Sequence, residues 1–246
     1  MTIRPQQEER RGLLPGTASV RLTVAVFAAL VLTLIASCGG ISGISGQQQD
    51  NLPDGTQLLT DSAAAMRTVD TTHFTISAQG DIPGVSLRYA DGQLTEQGSA
   101  KGIARMQQGE KLVEQDFVIT GDTLYLRDPA GKYQKLPSSV SGVTYNPAVI
   151  LNPERGVPAV LSSGKDATTE AREQIAGVDS YRVEATFPRE SLSTLVPGVT
   201  EDTTGTVWIA AQGSRLVEAQ FRKGDGLISA RFSDYDVPVT INAPAE

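Results

Sequence analysis

The sequence predicts an α+β domain in which a strongly curved antiparallel sheet of about ten strands carries helices against one face. Three observations predict this fold class. The domain opens with a segment of helical periodicity, short segments of alternating apolar and polar residues follow it, and an apolar block rich in proline interrupts them once. Because no internal repeat and no domain-sized linker divides this region, we expect a single unit.

A basic segment and an uncharged apolar run precede the domain. The run, residues 22–35, has 14 residues, fewer than the roughly 20 that span a bilayer. Its length and arginine-rich flank are typical of a secretory signal peptide, and the Ile35-Ala36-Ser37-Cys38 that follows resembles a bacterial lipobox. We therefore expect residues 1–37 to be a lipoprotein signal peptide and Cys38 to become lipidated. The alternative is a buried cysteine beside an uncleaved anchor helix.

The export route is left open by the same region. Arg10-Arg11 would suit a twin-arginine signal. Gly12, Pro15 and Arg21 separate that pair from the apolar run, which favours the general secretory route.

Residues 38–51 combine the lipidated cysteine with a flexible tether of Gly, Ser and Gln, which cannot bury enough surface to fold. Two or three acyl chains on Cys38 give stable attachment, whereas one chain binds a bilayer only marginally. We expect a protein anchored by lipid to the outer face of the cell membrane, in the exported cell envelope, with residues 52–246 as its lipid-binding domain. Cleavage before Cys38 removes four Arg and two Glu, so the formal net charge changes from −7 to −9.

Helical spacing and helix-start signals predict the helices. Apolar residues recur at helical spacing behind Thr56, a candidate cap. The block at residues 145–161 holds two Asn-Pro pairs, which suit helix starts because Asn caps a first turn and Pro tolerates it. The predicted helices cover residues 56–69, about 147–151, about 153–163 and about 189–196.

Period-2 alternation predicts the strands, and Gly121-Asp122 between two of them is a hairpin signal. Their short lengths and the turn residues between them favour an antiparallel meander. The predicted strands cover residues 74–78, 86–90, 103–107, 112–120, 123–127, 133–136, 181–187, 206–210, 215–221 and 226–232.

Composition excludes several kinds of site. One Cys rules out an internal disulfide and any multi-cysteine metal site, and one His rules out zinc sites that need two imidazoles. The acidic balance disfavours nucleic acid as a partner, and 5% aromatic residues are too few for a stacking platform. We expect no metal, no cofactor and no nucleic acid.

Catalytic motifs are missing as well. The sequence has no nucleophile elbow, no zinc-protease motif and no phosphate loop. His73 lies at a helix-to-strand junction, where a surface histidine is expected, and acidic residues such as Glu114 and Asp116 fit a solvated strand face. We expect Trp208 to be a packing anchor, and we predict that the protein is not an enzyme.

Aliphatic residues at period-2 positions are the feature that remains. A curved sheet with helices on its concave face either fills its interior with side chains or leaves room for a ligand, and the sequence leaves both readings open. The sequence also leaves open which face of each strand points inward. The candidate cavity-lining residues are Ala104 and Met106, Phe117 and Ile119, Leu124 and Leu126, Val207 and Ile209, with Val149, Leu151 and Val160 from the Asn-Pro block.

Three segments carry a resemblance to a known family. They are residues 116–125 (DFVITGDTLY), 145–161 (YNPAVILNPERGVPAVL) and 206–209 (TVWI). Through them the chain resembles the actinobacterial LppX/LprAFG lipoprotein family, most closely its LprG type, over about residues 56–239.

That resemblance implies a curved antiparallel half-barrel wrapped around helices, similar to the lipoprotein carriers of Gram-negative periplasms. It implies a cavity for the acyl chains of triacylated glycolipids, of the phosphatidylinositol mannoside or lipoarabinomannan type, or of triacylglycerol. It further implies transfer of that lipid across the cell envelope with a major-facilitator exporter as partner. A bulky residue in place of Ala104 would then block the cavity.

Physical chemistry favours such a carrier. Each buried CH₂ contributes about 0.8 kcal/mol, so exposing a 16-carbon chain to water costs on the order of 12 kcal/mol. A carrier predicts a cavity between sheet and helices that takes at least two acyl chains. The competing hypothesis, a structural or scaffolding envelope lipoprotein without lipid cargo, predicts a filled core.

Overall fold

A computed structural model describes residues 52–82, 84–128, 130–137, 149–196 and 198–245. The predicted signal peptide, Cys38 and the predicted tether lie outside the described residues, as does part of the predicted helix at 147–151. Within the described ranges, no helix has the length and apolar character needed to cross a membrane.

Eleven strands of the described chain form one antiparallel sheet. They are β1 Thr71–Gln79, β2 Leu87–Thr95, β3 Ala100–Gln108, β4 Lys111–Thr120, β5 Thr123–Arg127, β6 Tyr133–Pro137, β7 Lys165–Ile175, β8 Val178–Phe187, β9 Thr203–Ala210, β10 Leu216–Lys223 and β11 Gly226–Ser233. The order across the sheet is β6-β5-β4-β3-β2-β1-β11-β10-β9-β8-β7, so β6 and β7 form its edges. Each half is a meander, and the antiparallel pairing of β1 with β11 joins the two halves.

This curved open sheet with a few helices confirms the predicted fold class. All ten predicted strands have a counterpart, and the structure adds β7, which the sequence analysis missed. Only Ala167, Ala171 and Ile175 are apolar in β7, so the strand lacks the alternation on which the prediction relied. No residue of this edge strand is fully buried, and charged side chains at a sheet edge hinder pairing with another chain.

The first helix, α1, spans Gly55–Met66 and begins two residues earlier than its predicted cap allows. The cap is Asp54, whose Oδ1 accepts a hydrogen bond from the backbone amide of Gln57 at 2.8 Å. Thr56 lies inside the helix, so the prediction of Thr56 as cap is wrong. Asp is among the preferred residues at this position because its short carboxylate reaches the amides of the first turn.

The second helix, α2, spans Val157–Ser163 and is shorter than the predicted 153–163. Asn152 does not cap it. Instead, Asn152 Oδ1 accepts hydrogen bonds from the amides of the next two non-proline residues, Glu154 and Arg155, at 3.0 and 2.9 Å, which makes a separate turn. Gly156 then precedes the helix, and a Cβ there would lie 2.2 Å from the carbonyl oxygen of Val149. The close turn therefore requires glycine.

The third helix, α3, is a single turn at Arg189–Leu192. The predicted segment reached residue 196, but the chain continues from Ser193 as turns. The helices and one face of the sheet share a hydrophobic core, and we call this face the inner face. The most deeply buried residues of this hydrophobic core include Leu59 and Met66 of α1, Leu161 of α2, and Leu94, Phe187 and Ile209 of the sheet.

The chain beyond β11 is fastened to the sheet by polar contacts. The hydroxyl of Tyr235 donates to the carbonyl of Leu216, and burial raises the pKa of that hydroxyl. The carboxylate of Asp236 accepts from the Asp70 amide at 3.0 Å and forms an ion pair with Arg215. Burial alone would raise the pKa of Asp236, but these hydrogen bonds outweigh it, and the pKa lies below its ordinary value.

Candidate functional site

An apolar cavity of about 180 Å³ lies between the inner face of the sheet and the segments that contain α2 and α3. Of the described side chains in its wall, none is ionisable, and only that of Ser86 is polar. The wall consists of Ile76, Ala78, Gly84, Val85, Ser86, Leu87, Met106, Ile150, Val157, Val160, Leu161, Phe187, Leu192, Leu195, Val196, Val207, Leu216, Ala219, Phe221, Ile228, Ala230 and Phe232.

The floor of the cavity follows from the register of four neighbouring strands. Ile76 of β1 pairs with Ala230 of β11, which pairs with Ala219 of β10, which pairs with Val207 of β9. Directly paired residues of a sheet point to the same face, so these four side chains form one row on the inner face. The two central members are alanines, and their short side chains leave the space above them open.

Helical spacing builds the opposite wall. Val157, Val160 and Leu161 lie at positions i, i+3 and i+4 of α2, so they share one helix face. The segment of α3 and the turn after it repeats the same spacing with Leu192, Leu195 and Val196. Two short amphipathic segments therefore cover the alanine row.

The rim of the cavity lies where wall residues reach solvent. Gly84 and Ser86, in the connection between β1 and β2, are exposed, and Val85, Leu195 and Val196 are half-buried. A molecule that enters the cavity would pass these residues.

Charged groups lie on the outer face of the sheet instead. Glu218 is only 3% exposed, yet its carboxylate is satisfied. It accepts from Arg231 Nη2 at 2.6 Å and Nε at 2.9 Å, and from Gln220 Nε2 at 2.8 Å. Because a buried charge is tolerated only when it is paired and hydrogen-bonded, this arrangement keeps the sheet intact without placing a charge in the cavity.

The structure places the four predicted period-2 sets on the inner face. Ala104 pairs directly with the core residue Ala90, and the other residues of these sets lie in the cavity wall or in the core. Counting the residues of the Asn-Pro block as well, the predicted lining residues found in the wall are Met106, Val160 and Val207. Buried in the core beside it are Ile119, Leu124, Leu151 and Ile209, with Phe117 and Leu126 packed half-buried against them. Ala104 and Val149 are half-buried and outside the cavity wall.

Most of the cavity wall was absent from the sequence prediction. Ala219, Phe221, Ala230 and Phe232 lie on predicted strands at alternate positions. The alternation could have identified them if it were known which alternate residues of β10 and β11 point to the inner face. The connection at residues 84–86 carries no such periodic signal.

The cavity is smaller than predicted. Pockets that enclose a small ligand typically have roughly 300–1,000 Å³, so about 180 Å³ does not hold two acyl chains. Large side chains occupy part of the interior. The rings of Phe187 and Phe221, both in the wall, pack edge to face with centroids 5.4 Å apart.

His73 lies on the outer face, in a row of polar side chains. Its Nδ1 is 3.3 Å from Ser233 Oγ, and its Nε2 is 3.2 Å from Asp91 Oδ1. A catalytic triad requires the serine hydroxyl to give its proton to the histidine. Here the Ser233 hydroxyl donates to Asp234 at 3.2 Å, and a hydroxyl has one proton. The contacts of His73 are therefore hydrogen bonds between neighbouring strands of the sheet.

Comparison with known proteins places this fold and cavity in context. A family model described as LppX_LprAFG lipoprotein matches residues 54–241. The lipoarabinomannan carrier protein LprG of Mycolicibacterium smegmatis is 30% identical over 238 residues, which cover 92% of this chain and 98% of that protein.

Two solved structures share the fold. LprF from Mycobacterium bovis superposes with a TM-score of 0.71 at 24% identity, over 78% of this chain and 97% of that one. LppX from Mycobacterium tuberculosis has a TM-score of 0.59 at 23% identity, over 76% of this chain and 97% of that one. With the family model matching most of its length, the chain belongs to the LppX_LprAFG lipoprotein family.

Proposed function

We propose that this protein is a membrane-anchored lipoprotein that binds the acyl chains of a lipid in the apolar cavity and carries that lipid across the cell envelope. The observation that carries the proposal is the cavity wall, in which aliphatic and aromatic side chains from sheet and helices surround a space free of ionisable groups among the described residues. Such a wall favours methylene groups over water, because each methylene removed from water contributes about 0.8 kcal/mol.

The proposed cargo is a triacylated glycolipid of the phosphatidylinositol mannoside or lipoarabinomannan type. A relative that covers nearly the whole chain bears the name lipoarabinomannan carrier protein, which supports this choice. Triacylglycerol remains the other candidate, since an apolar cavity accepts its chains equally well.

Loading requires the cavity to widen beyond about 180 Å³. We assign this movement to α2 and α3, which are 7 and 4 residues long. The two helices are joined through the hydroxyls of Ser163 and Ser191, 2.7 Å apart. A displacement that keeps this link would move both helices as one body away from the alanine row, and the acyl chains would then pack against the alanines in place of the helices.

Anchoring and partnership complete the proposal. Residues 1–37 act as a signal peptide, Cys38 carries the acyl groups, and residues 38–51 tether the domain of residues 52–246 to the outer face of the cell membrane. A major-facilitator exporter is the proposed partner that supplies or receives the lipid. The protein acts by binding and release, without covalent chemistry, metal or cofactor.

Vesicle-to-vesicle transfer tests this function. Full-length protein is added to donor vesicles that contain pyrene-labelled phosphatidylinositol and to unlabelled acceptor vesicles, and excimer fluorescence reports transfer. We expect the transfer rate to rise with protein concentration, with no fatty acid released, and to be the same for a His73→Gln variant. A rate equal to that of vesicles alone would instead favour a scaffolding lipoprotein without lipid cargo.

A further inference from the structure

A second, polar cavity adjoins the apolar one. Its volume is about 280 Å³, and it lies between two parts of the chain. One is residues 198–204, the loop before β9 with the first two residues of that strand, here called the loop, and the other is the hairpin that joins β10 to β11. The two cavities share four wall residues, namely Leu192, Val196, Phe221 and Ile228. A molecule that fills both would therefore have an apolar part and a polar part in direct succession.

The wall of the polar cavity contains both hydrogen-bond donors and acceptors, and as many acidic as basic side chains. The loop contributes the hydroxyls of three threonines and the carboxylates of two acidic residues, and the hairpin contributes two basic side chains. These residues are Thr200, Thr203, Thr204, Glu201, Asp202, Arg222 and Lys223. With two acids and two bases, their formal charges cancel.

Some of these groups hold the loop in place. The Asp202 carboxylate accepts from the Arg189 amide at 2.9 Å, and the Thr203 hydroxyl donates to the Glu201 carbonyl at 3.1 Å. The carboxylate of Glu201 and the guanidinium of Arg222 are exposed and make no hydrogen bond to another described residue. These two charged groups can turn to a ligand.

This chemistry suits neutral hydroxyl groups better than a bare phosphate. A phosphate favours an excess of cations, and the acidic residues here would repel it. A polyol presents hydroxyls that both donate and accept, so carboxylates, threonine hydroxyls and basic groups can all bind it.

We propose that the cavity between residues 198–204 and the β10–β11 hairpin binds the polyol head of the lipid whose acyl chains occupy the apolar cavity. This inference rests on the proposed function and deepens it. Leu192, Val196, Phe221 and Ile228 then mark the boundary between head and chains, and the head directs the lipid so that its chains enter over the alanine row.

Binding of three lipids with the same chains tests the proposal. Full-length protein is titrated with dipalmitoyl phosphatidylinositol, dipalmitoyl phosphatidic acid and dipalmitoylglycerol, and displacement of a fluorescent fatty acid reports the affinity. The double variant Glu201→Ala/Arg222→Ala removes one acid and one base from the polar cavity. Glu110→Ala/Lys111→Ala removes the same charges at the exposed tip of the β3–β4 hairpin and is the matched control.

We expect the double variant to weaken phosphatidylinositol binding by about tenfold, as for the loss of one to two hydrogen bonds. Phosphatidic acid and dipalmitoylglycerol should bind the variant and the wild type equally, and the control should behave like wild type. Equal weakening of phosphatidic acid would overturn the assignment to a polyol, because the cavity would then recognise phosphate. An unchanged affinity for phosphatidylinositol would overturn the site itself. Displacement by none of the three lipids in wild type would instead refute the proposed function.

Discussion

Filling the alanine row should weaken lipid binding strongly without unfolding the protein. Ala230 lies at the centre of that row, between Ile76 and Ala219 on the neighbouring strands. Ala230→Phe adds six ring carbons, which occupy about 100 Å³ at the packing density of protein interiors. The ring would stand in the cavity above the alanine row.

The expected loss of affinity follows from this volume. About 100 Å³ corresponds to roughly three groups of about 30 Å³ each, the volume of a liquid water and close to that of a methylene. At about 0.8 kcal/mol per methylene, excluding three of them costs about 2.4 kcal/mol, or about 50-fold in affinity. The lipid-free protein should keep its unfolding temperature within a few degrees, because burial of the ring offsets crowding of about 1–3 kcal/mol.

Displacement of a fluorescent fatty acid by dipalmitoyl phosphatidylinositol measures this loss, and thermal unfolding checks the fold. Ser229→Phe is the matched control, since Ser229 is the neighbouring residue of β11 and its side chain lies on the outer face. We expect the control to bind as wild type does. If Ala230→Phe unfolds normally and still binds with wild-type affinity, the acyl chains do not occupy this cavity.

Three further predictions concern other parts of the chain. Ala104→Trp should also lower lipid loading, measured by mass spectrometry of extracted lipid. Ala104 lies on the inner face of β3, two residues from the wall residue Met106. Unchanged loading would mean that the acyl chains do not reach Ala104. Cys38→Ser should abolish incorporation of a labelled palmitate, whereas an unlabelled wild-type chain that retains residues 1–37 would favour an uncleaved anchor helix. Asp236→Asn should lower the free energy of unfolding by about 1–2 kcal/mol at neutral pH, because it removes charge-assisted hydrogen bonds. Since the folded-state pKa of Asp236 is lowered below 3.8, its contribution is present above that value and is lost as the pH falls through the folded-state pKa. A difference between wild type and variant in thermal melts that does not shrink as the pH falls from 7 to 2 would contradict this reasoning.

Local sequence patterns predict much of this fold. Alternation locates ten strands because half-buried strands must place apolar side chains on one face. The polar strand β7 escapes this rule, since an edge strand needs no continuous apolar face. Helix boundaries are less well predicted, because the choice of Asp54 over Thr56 as a cap depends on where the chain turns before the helix.

The cavity is harder to predict than the strands, because residues far apart in sequence build it. Ile76 and Ala230 are neighbours only through the pairing of β1 with β11, which connects the two ends of the domain. A local pattern gives no information on that pairing, nor on the phase that turns Ala219 and Ala230 inward. Met106 and Val207 were identified as period-2 positions of predicted strands, and Val160 as part of the apolar Asn-Pro block. Ala219 and Ala230 also stand at alternate strand positions, but the sequence does not show that these positions point inward.

Native mass spectrometry of the full-length protein, extracted from membranes of its natural host, tests the central claim most directly. The account predicts a wild-type species heavier than the polypeptide and its anchor by the mass of one acylated lipid, and its loss in Ala230→Phe but not in Ser229→Phe. A wild-type protein that carries no lipid under conditions that preserve the fold would contradict the account.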